Sequence, residues 1–224
     1  MPEPLLCADG LRMEGRRGSV FGPLDWELVA GQRGVLVGQQ GAGRSALLLA
    51  LGGRLKGAAG ELLVAGIDGI AHPRKLRQLT SVARISDLAD LEPSLTVGEA
   101  RDERALTEAI GVRQGRVRFT ELQQLLGEWF DPEQVVGHLP AHRRTLLTAV
   151  LGCLRPSAYV LLDDLDASLT DRQLLWMHEQ LDLLSTAGHT FIVSALDTAQ
   201  VPAGANILHL DVHQPRHALD PLDL

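Results

Sequence analysis

Lysine is nearly missing from this 224-residue chain: Lys56 and Lys75 are the only two, and arginine carries the remaining positive charge. Acidic residues outnumber basic ones by 28 to 21, giving a formal charge of −7, so no basic field marks nucleic acid as a partner. Two cysteines, Cys7 and Cys153, fit neither a metal spacing nor a disulfide framework, and a reducing cytosol is expected. Aromatic residues are only 4% of the chain. No apolar run approaches the roughly 20 residues needed to cross a bilayer, which excludes a spanning helix but not docking on a membrane protein. The opening MPEPLLCADG has no basic n-region, so no secretory signal is expected.

What is present is an α/β pattern. PLLCADGLRM, SVFGPLDWELVAGQ and RGVLVG read as strands, and a helix is expected from about 45 to 55. GELLVAGID and SVARIS read as further strands, with HPRKLRQL a short helix between them. After residue 87 the texture turns helical through VGEARDERALTEAI, RFTELQQLLGEWF and PEQVVGHL, placing Leu122, Leu125, Leu126 and Trp129 on one face. AHRRTLLTAVLGCL continues as a helix with a stripe of Leu146, Leu147, Val150, Leu151 and Leu154. The strand AYVLLDD, the helix DRQLLWMHEQLDLLSTAG and the strands HTFIVSAL and ANILHL complete the chain. Fully apolar strands alternating with helices imply a mostly parallel sheet covered on both faces. The division expected is an α/β core of 1–87 and 141–224, interrupted by a helical insertion at 88–140.

One stretch carries specific chemistry. GVLVGQQGAGRSALLLALGGRL follows the phosphate-loop template G-x-x-x-x-G-K-[ST] through Gly38, Gly43, Arg44 and Ser45, with arginine in the lysine's place. In such a loop successive backbone N–H groups form an anion nest, reinforced by the positive end of the helix dipole. The expected nucleotide contacts are Gly38, Gln39, Gln40, Gly41, Ala42, Gly43, Arg44 and Ser45, and the Ser45 hydroxyl suits Mg²⁺. Arginine keeps the charge but is longer, planar and forked. A glycine turn capping a core helix is the plain alternative, and in a chain this poor in lysine Arg44 also fits as a tolerated replacement. The spacing does not match the dinucleotide pattern G-x-G-x-x-G.

The stretch AYVLLDDLDASL supplies a partner for that loop. An apolar strand ending in carboxylates suits a magnesium-binding Asp163, with Asp164 next to it to orient or deprotonate an attacking water. Carboxylates at a strand end also serve as turn formers or helix caps. Loop and strand in this order weigh more than either alone.

Over almost its whole length the chain resembles the nucleotide-binding domains of ATP-binding cassette (ABC) transporters. The stretch from LDWELVAGQ through LLVAGID is similar to the family's opening strands, phosphate loop and following strand. SDLADLEPSLTVGEA is similar to its Q-loop region, and LLTAVLGCLRPSAYVLLDD to the approach to Walker B. The resemblance implies a P-loop NTPase (RecA-like) α/β core with a mostly parallel sheet, an N-terminal antiparallel β subdomain and an inserted α-helical subdomain. It also implies ATP and Mg²⁺ as ligands, Asp87 at the Q-loop position, and pairing as a homodimer or as a heterodimer with another ATP-binding domain. The partner would be a transmembrane permease-like protein, with this chain on the inner face of the cell membrane.

The departures fall on positions that the family uses for catalysis. The Q-loop glutamine is Asp87, and the LSGGQ signature is LPAHR, Leu139 to Arg143. The D-loop SALD is ASLT, the switch histidine is Ala195, and the Walker B glutamate is Asp164. No aromatic stands near Glu14 and Gly15, where the family stacks adenine, until Phe21. Losing a positioned acid or base costs about 10²–10⁴ in rate and each oxyanion-type donor about 10²–10³, without additivity. Against an ordinary turnover of roughly 10 s⁻¹, hydrolysis of about 10⁻² s⁻¹ or slower is expected. The alternatives are a non-hydrolysing scaffold and, from another class, a small-molecule phosphotransferase. The absence of recognisable lid arginines speaks against the phosphotransferase.

Overall fold

The computed structural model describes residues 3–16, 18–199 and 201–212. The first sheet is antiparallel. Strands β1 (Leu6–Gly15) and β2 (Gly18–Leu28) pair along their length, and β4 (Ala58–Val64) and β5 (Ile67–Asp68) extend the sheet in the order β2-β1-β4-β5. The single strand expected over GELLVAGID is therefore a hairpin. Ala65 and Gly66 both take positive φ there, which bends the chain back on itself.

The second sheet is wholly parallel. Strands β3 (Gly34–Val37), β6 (Thr80–Arg84), β7 (Tyr159–Leu162), β8 (Phe191–Ala195) and β9 (Asn206–His209) run in the order β6-β7-β8-β3-β9. Strands β3, β6, β7 and β8 are buried along their length, as a doubly covered sheet requires, although only β3 and β7 are apolar throughout: β6 carries Thr80, Ser81 and Arg84, and β8 carries Ser194. One core lies between this sheet and the antiparallel sheet, built around Leu6, Phe21, Leu47, Leu48 and Tyr159. The other lies on the opposite face, where Leu146, Leu147, Val150 and Leu151 meet Met177 and Leu181. The fold is the expected one, two sheets with an inserted set of helices.

Helix α1 (Arg44–Leu51) stops one turn earlier than the periodicity suggests. Gly53 is left-handed (φ 65°), Gly53 N–H reaches the Ala50 carbonyl, and Arg54 N–H reaches that of Leu49 at 2.8 Å. These are the two bonds of a Schellman stop. Helix α2 (Pro73–Leu79) starts on its proline. Helix α3 (Val97–Thr107) opens with a capping box in which Thr96 and Glu99 satisfy each other's N–H groups.

Helix α4 (Val112–Leu126) ends at left-handed Gly127, so Trp129 cannot share its face. Leu122 and Leu126 are buried, whereas Leu125 and Trp129 are exposed, which corrects the single apolar face expected for the four. The helix expected over PEQVVGHL is reduced to a 3-10 turn at Val136–His138. Leu139 is held extended (φ −69°, ψ 137°) ahead of Pro140, as the residue before a proline must be. Helix α5 (Ala141–Gly152) buries Leu146, Leu147, Val150 and Leu151 of the expected stripe, and Leu154, also buried, lies just beyond its end. Helix α6 (Asp171–Thr186) opens on a second capping box, Thr170 with Gln173.

Candidate nucleotide site

The carboxyl ends of β3, β6, β7 and β8 open on the same crevice, the position at which parallel α/β sheets bind ligands. From β3 the chain passes through Gly38 into the glycine turn. Gly41 (φ 86°) and Gly43 (φ 85°) are both left-handed. A Cβ on Gly43 would lie 2.1 Å from the Val20 carbonyl, so the turn is clamped against β2, while Gly41 faces open space. Gln39, Gln40 and Gly41 are exposed, and Gly38 and Ala42 are buried.

The turn's own hydrogen bonds leave several of its N–H groups unused. Ala42 N–H is used by the Gln39 carbonyl at 3.1 Å and Gly38 N–H by that of Ala195 at 3.3 Å. The N–H groups of Gln40, Gly41 and Gly43 donate to nothing among the described residues. No side chain caps α1, and its first turn holds no acidic residue. Free N–H groups at an uncapped helix start form an anion-binding site.

Arg44 does not point out over that nest. Its side chain is 9% exposed and turns in toward β7, with Nη1 at 2.9 Å from Asp164 Oδ1 and 3.5 Å from Ser194 Oγ. The guanidinium therefore stands between the loop and the strand-end carboxylates. The Ser45 hydroxyl is partly buried and makes no hydrogen bond among the described residues.

Asp163 is completely buried. Its Oδ1 accepts from the Asp164 N–H (3.1 Å) and from the Ser194 hydroxyl, and its Oδ2 accepts from Ser86 N–H (3.2 Å). Asp164 adopts a left-handed backbone (φ 47°), which aspartate tolerates better than most residues. Its second oxygen accepts from Ser86 Oγ at 2.6 Å. Beneath them buried Arg84 donates to the main-chain carbonyls of Asp163 and Asp164 at 2.6–3.0 Å. Burial lowers the pKa of Arg84, while the charges of Asp90, Asp164 and Asp163 oppose that shift.

Asp87 is exposed, left-handed (φ 62°) and hydrogen-bonded to none of these groups among the described residues, so the structure does not bring it to the cluster. Its neighbour Ser86 makes the contact instead. Ser86, Ser194 and Arg84 were not legible as site residues. The one available signal was adjacency, because Ser86 precedes Asp87 and Ser194 precedes Ala195. The first aromatic after the strand-β1 region, Phe21, is fully buried.

The residues offer Mg²⁺ the right kind of donor, hard oxygens from Ser45 and Asp163. The fit is limited by Arg44, whose positive charge is already held on the adjacent carboxylate. The side chains of the LPAHR stretch are also engaged internally. Pro140 stands at the start of α5, with no N–H to offer. Arg143 pairs with Glu128 and the Trp129 carbonyl and lies 4.4 Å over the Phe130 ring. His142 Nδ1 lies 3.1 Å from Gln173 Nε2, and its ring packs edge-on against Trp176.

A family model described as ABC transporter matches residues 21–167. The chain belongs to the ABC transporter family. Among curated relatives it is 30% identical over 155 residues to the ribose import ATP-binding protein RbsA 2 of Rubrobacter xylanophilus, covering 67% of this chain and 30% of the relative. It is 26% identical to the arabinose import ATP-binding protein AraG of Azospirillum brasilense, covering 84% and 37%. The chain thus spans about a third of the length of these relatives.

Solved structures share the fold at low identity. The ABC chain cbiO1 from Clostridium perfringens superposes with a TM-score of 0.77 at 16% identity over 93% of this chain and 85% of its own. The ATP-binding cassette MJ0796, solved as a dimer bound to ADP and phosphate, gives 0.74 at 17% identity over 93% and 97%. At such identities the ABC fold is what is shared.

Proposed function

We propose that this ABC chain binds ATP through residues 38–45 as the ATP-binding subunit of a membrane transporter, and hydrolyses it slowly or not at all. The observation that carries the binding half is the set of unpartnered N–H groups at Gln40, Gly41 and Gly43 before an uncapped helix. Those donors suit a triphosphate without requiring a lysine. Mg²⁺ would be held by Ser45 and Asp163, and its charge would help neutralise the phosphates. Permease-like partners and pairing with a second ATP-binding domain belong to the same proposal, as does a place on the inner face of the membrane. The relatives named for ribose and arabinose import support a transport role.

A second reading, a non-hydrolysing scaffold, is favoured by the Arg44–Asp164 ion pair. Asp164 is the group that would take a proton from water, and here one oxygen is ion-paired with Arg44 while the other accepts from Ser86 Oγ. Thermal shift with ATP tests binding: a shift is expected, and its absence in the natural chain alongside a shift in Arg44→Lys would remove the binding proposal. Steady-state ATP turnover with the membrane partner, compared with Asp163→Asn, separates the two readings. Turnover that vanishes in the variant eliminates the scaffold.

A further inference from the structure

We propose that Arg44 stands in for the divalent cation at this site, so that the chain binds metal-free ATP about as tightly as its Mg²⁺ complex. The inference rests on the proposal that residues 38–45 hold a triphosphate, and it concerns what neutralises that triphosphate.

Of the two residues suited to a metal, Asp163 has little left to give. It is completely buried, and three protein donors already occupy its oxygens: the Asp164 N–H and the Ser194 hydroxyl on Oδ1, and the Ser86 N–H on Oδ2. A carboxylate has about four lone-pair sites, so one direction remains. Its backbone is fastened as well. The Asp163 N–H donates to the Arg84 carbonyl at 3.1 Å, and the Arg84 side chain holds the Asp163 carbonyl in return. The Ser45 hydroxyl makes no hydrogen bond among the described residues, so the two are not joined as a ready-made pair. Mg²⁺ demands near-ideal octahedral geometry, which such a side chain meets poorly.

Arg44 already brings a positive charge to the same place. Its Nη1 lies 2.9 Å from Asp164 Oδ1 and 3.5 Å from Ser194 Oγ, the hydroxyl that donates to Asp163. The guanidinium is therefore one hydroxyl away from the carboxylate that a metal would need. Its anchor is firm, because Arg44 follows directly on Gly43, which is wedged against the Val20 carbonyl. A guanidinium does not deprotonate in a protein. A metal ion brought beside it meets a repulsion that a largely buried site screens weakly.

The same group supplies what a metal-free triphosphate lacks. Only Nη1 is engaged, and Nε and Nη2 donate to nothing among the described residues. That edge of a guanidinium takes two oxygens of one phosphate. With the free N–H groups of Gln40, Gly41 and Gly43, it gives the phosphates both donors and charge. Mg²⁺ at Ser45 and Asp163 then adds little to affinity.

Titration of the full chain with fluorescent ATP, once in excess Mg²⁺ and once in EDTA at matched ionic strength, tests this. The two dissociation constants are expected to agree within about threefold. Binding more than about threefold tighter in Mg²⁺ overturns the inference and leaves the nucleotide proposal in place. No binding in either solution overturns both. Arg44→Gln should weaken metal-free binding by at least about tenfold, the scale of a charge-assisted hydrogen bond, and Mg²⁺ should recover most of that loss. Equal loss in both solutions, or no loss in EDTA, overturns the assignment to Arg44. The comparison on the natural chain stands even where the variant does not fold.

Discussion

The Arg44 guanidinium is 2.9 Å from the Asp164 carboxylate, a contact that joins the first turn of α1 to the end of β7. It places the loop's one cation on the residue proposed to activate water. A nucleotide must therefore compete with Asp164 for Arg44. Asp164→Asn removes the competitor, and ATP affinity should rise by about three- to tenfold, the scale of a partly exposed ion pair. A fluorescent-ATP titration measures this. Unchanged affinity would mean that the pair does not restrain Arg44.

The glycine turn predicts a contrast between two similar substitutions. Gly43→Ala sets a Cβ against the Val20 carbonyl in a left-handed backbone and should cost about 3 kcal/mol or more. Gly41→Ala has the same backbone strain but open space, and should cost about 1 kcal/mol. Urea unfolding of both variants decides the matter, and equal losses would refute the clamp against β2.

Two buried histidines give the fold an acid sensitivity. His178 is pushed down to about 4 by burial and then by Arg33, and His189 likewise by burial and then Arg118. Both are neutral in the folded chain and take up protons near the ordinary 6.5 when it unfolds. Their contribution is complete above pH 6.5 and falls as pH drops toward about 4, by up to about 3 kcal/mol each. Denaturant midpoints across that range should decline, and the His178→Asn, His189→Asn double variant should show a flatter slope between pH 6.5 and 5.

Arg143, near the start of α5, is held by Glu128, the Trp129 carbonyl and the Phe130 ring. Arg143→Ala should lower stability by about 1–2 kcal/mol and leave any ATP turnover of the assembled complex unchanged. A loss of turnover at unaltered stability would show that the side chain acts on a nucleotide in a facing subunit.

Much of this architecture could be read in advance, and for a definite reason. Unbroken apolar strands such as YVLL and GVLV admit few places other than a covered parallel sheet, and glycine spacing reports directly on backbone shape. The direction of Arg44 could not be read. It depends on a carboxylate about 120 residues away along the chain and on whether that carboxylate has other donors. Ser86 and Ser194 escaped for the same reason, since a hydroxyl at a strand end obeys no spacing rule. Periodicity misled over Leu125 and Trp129 because Gly127 ends the helix between them, a stop that a repeat of apolar residues cannot announce.

Phe21 sits wholly inside the core beside the clamped turn, so its ring is not offered to a base. A nucleotide bound as proposed would then be held chiefly by its phosphate tail. Nucleobase identity becomes almost irrelevant to such a pocket, and GTP should occupy it nearly as well as ATP.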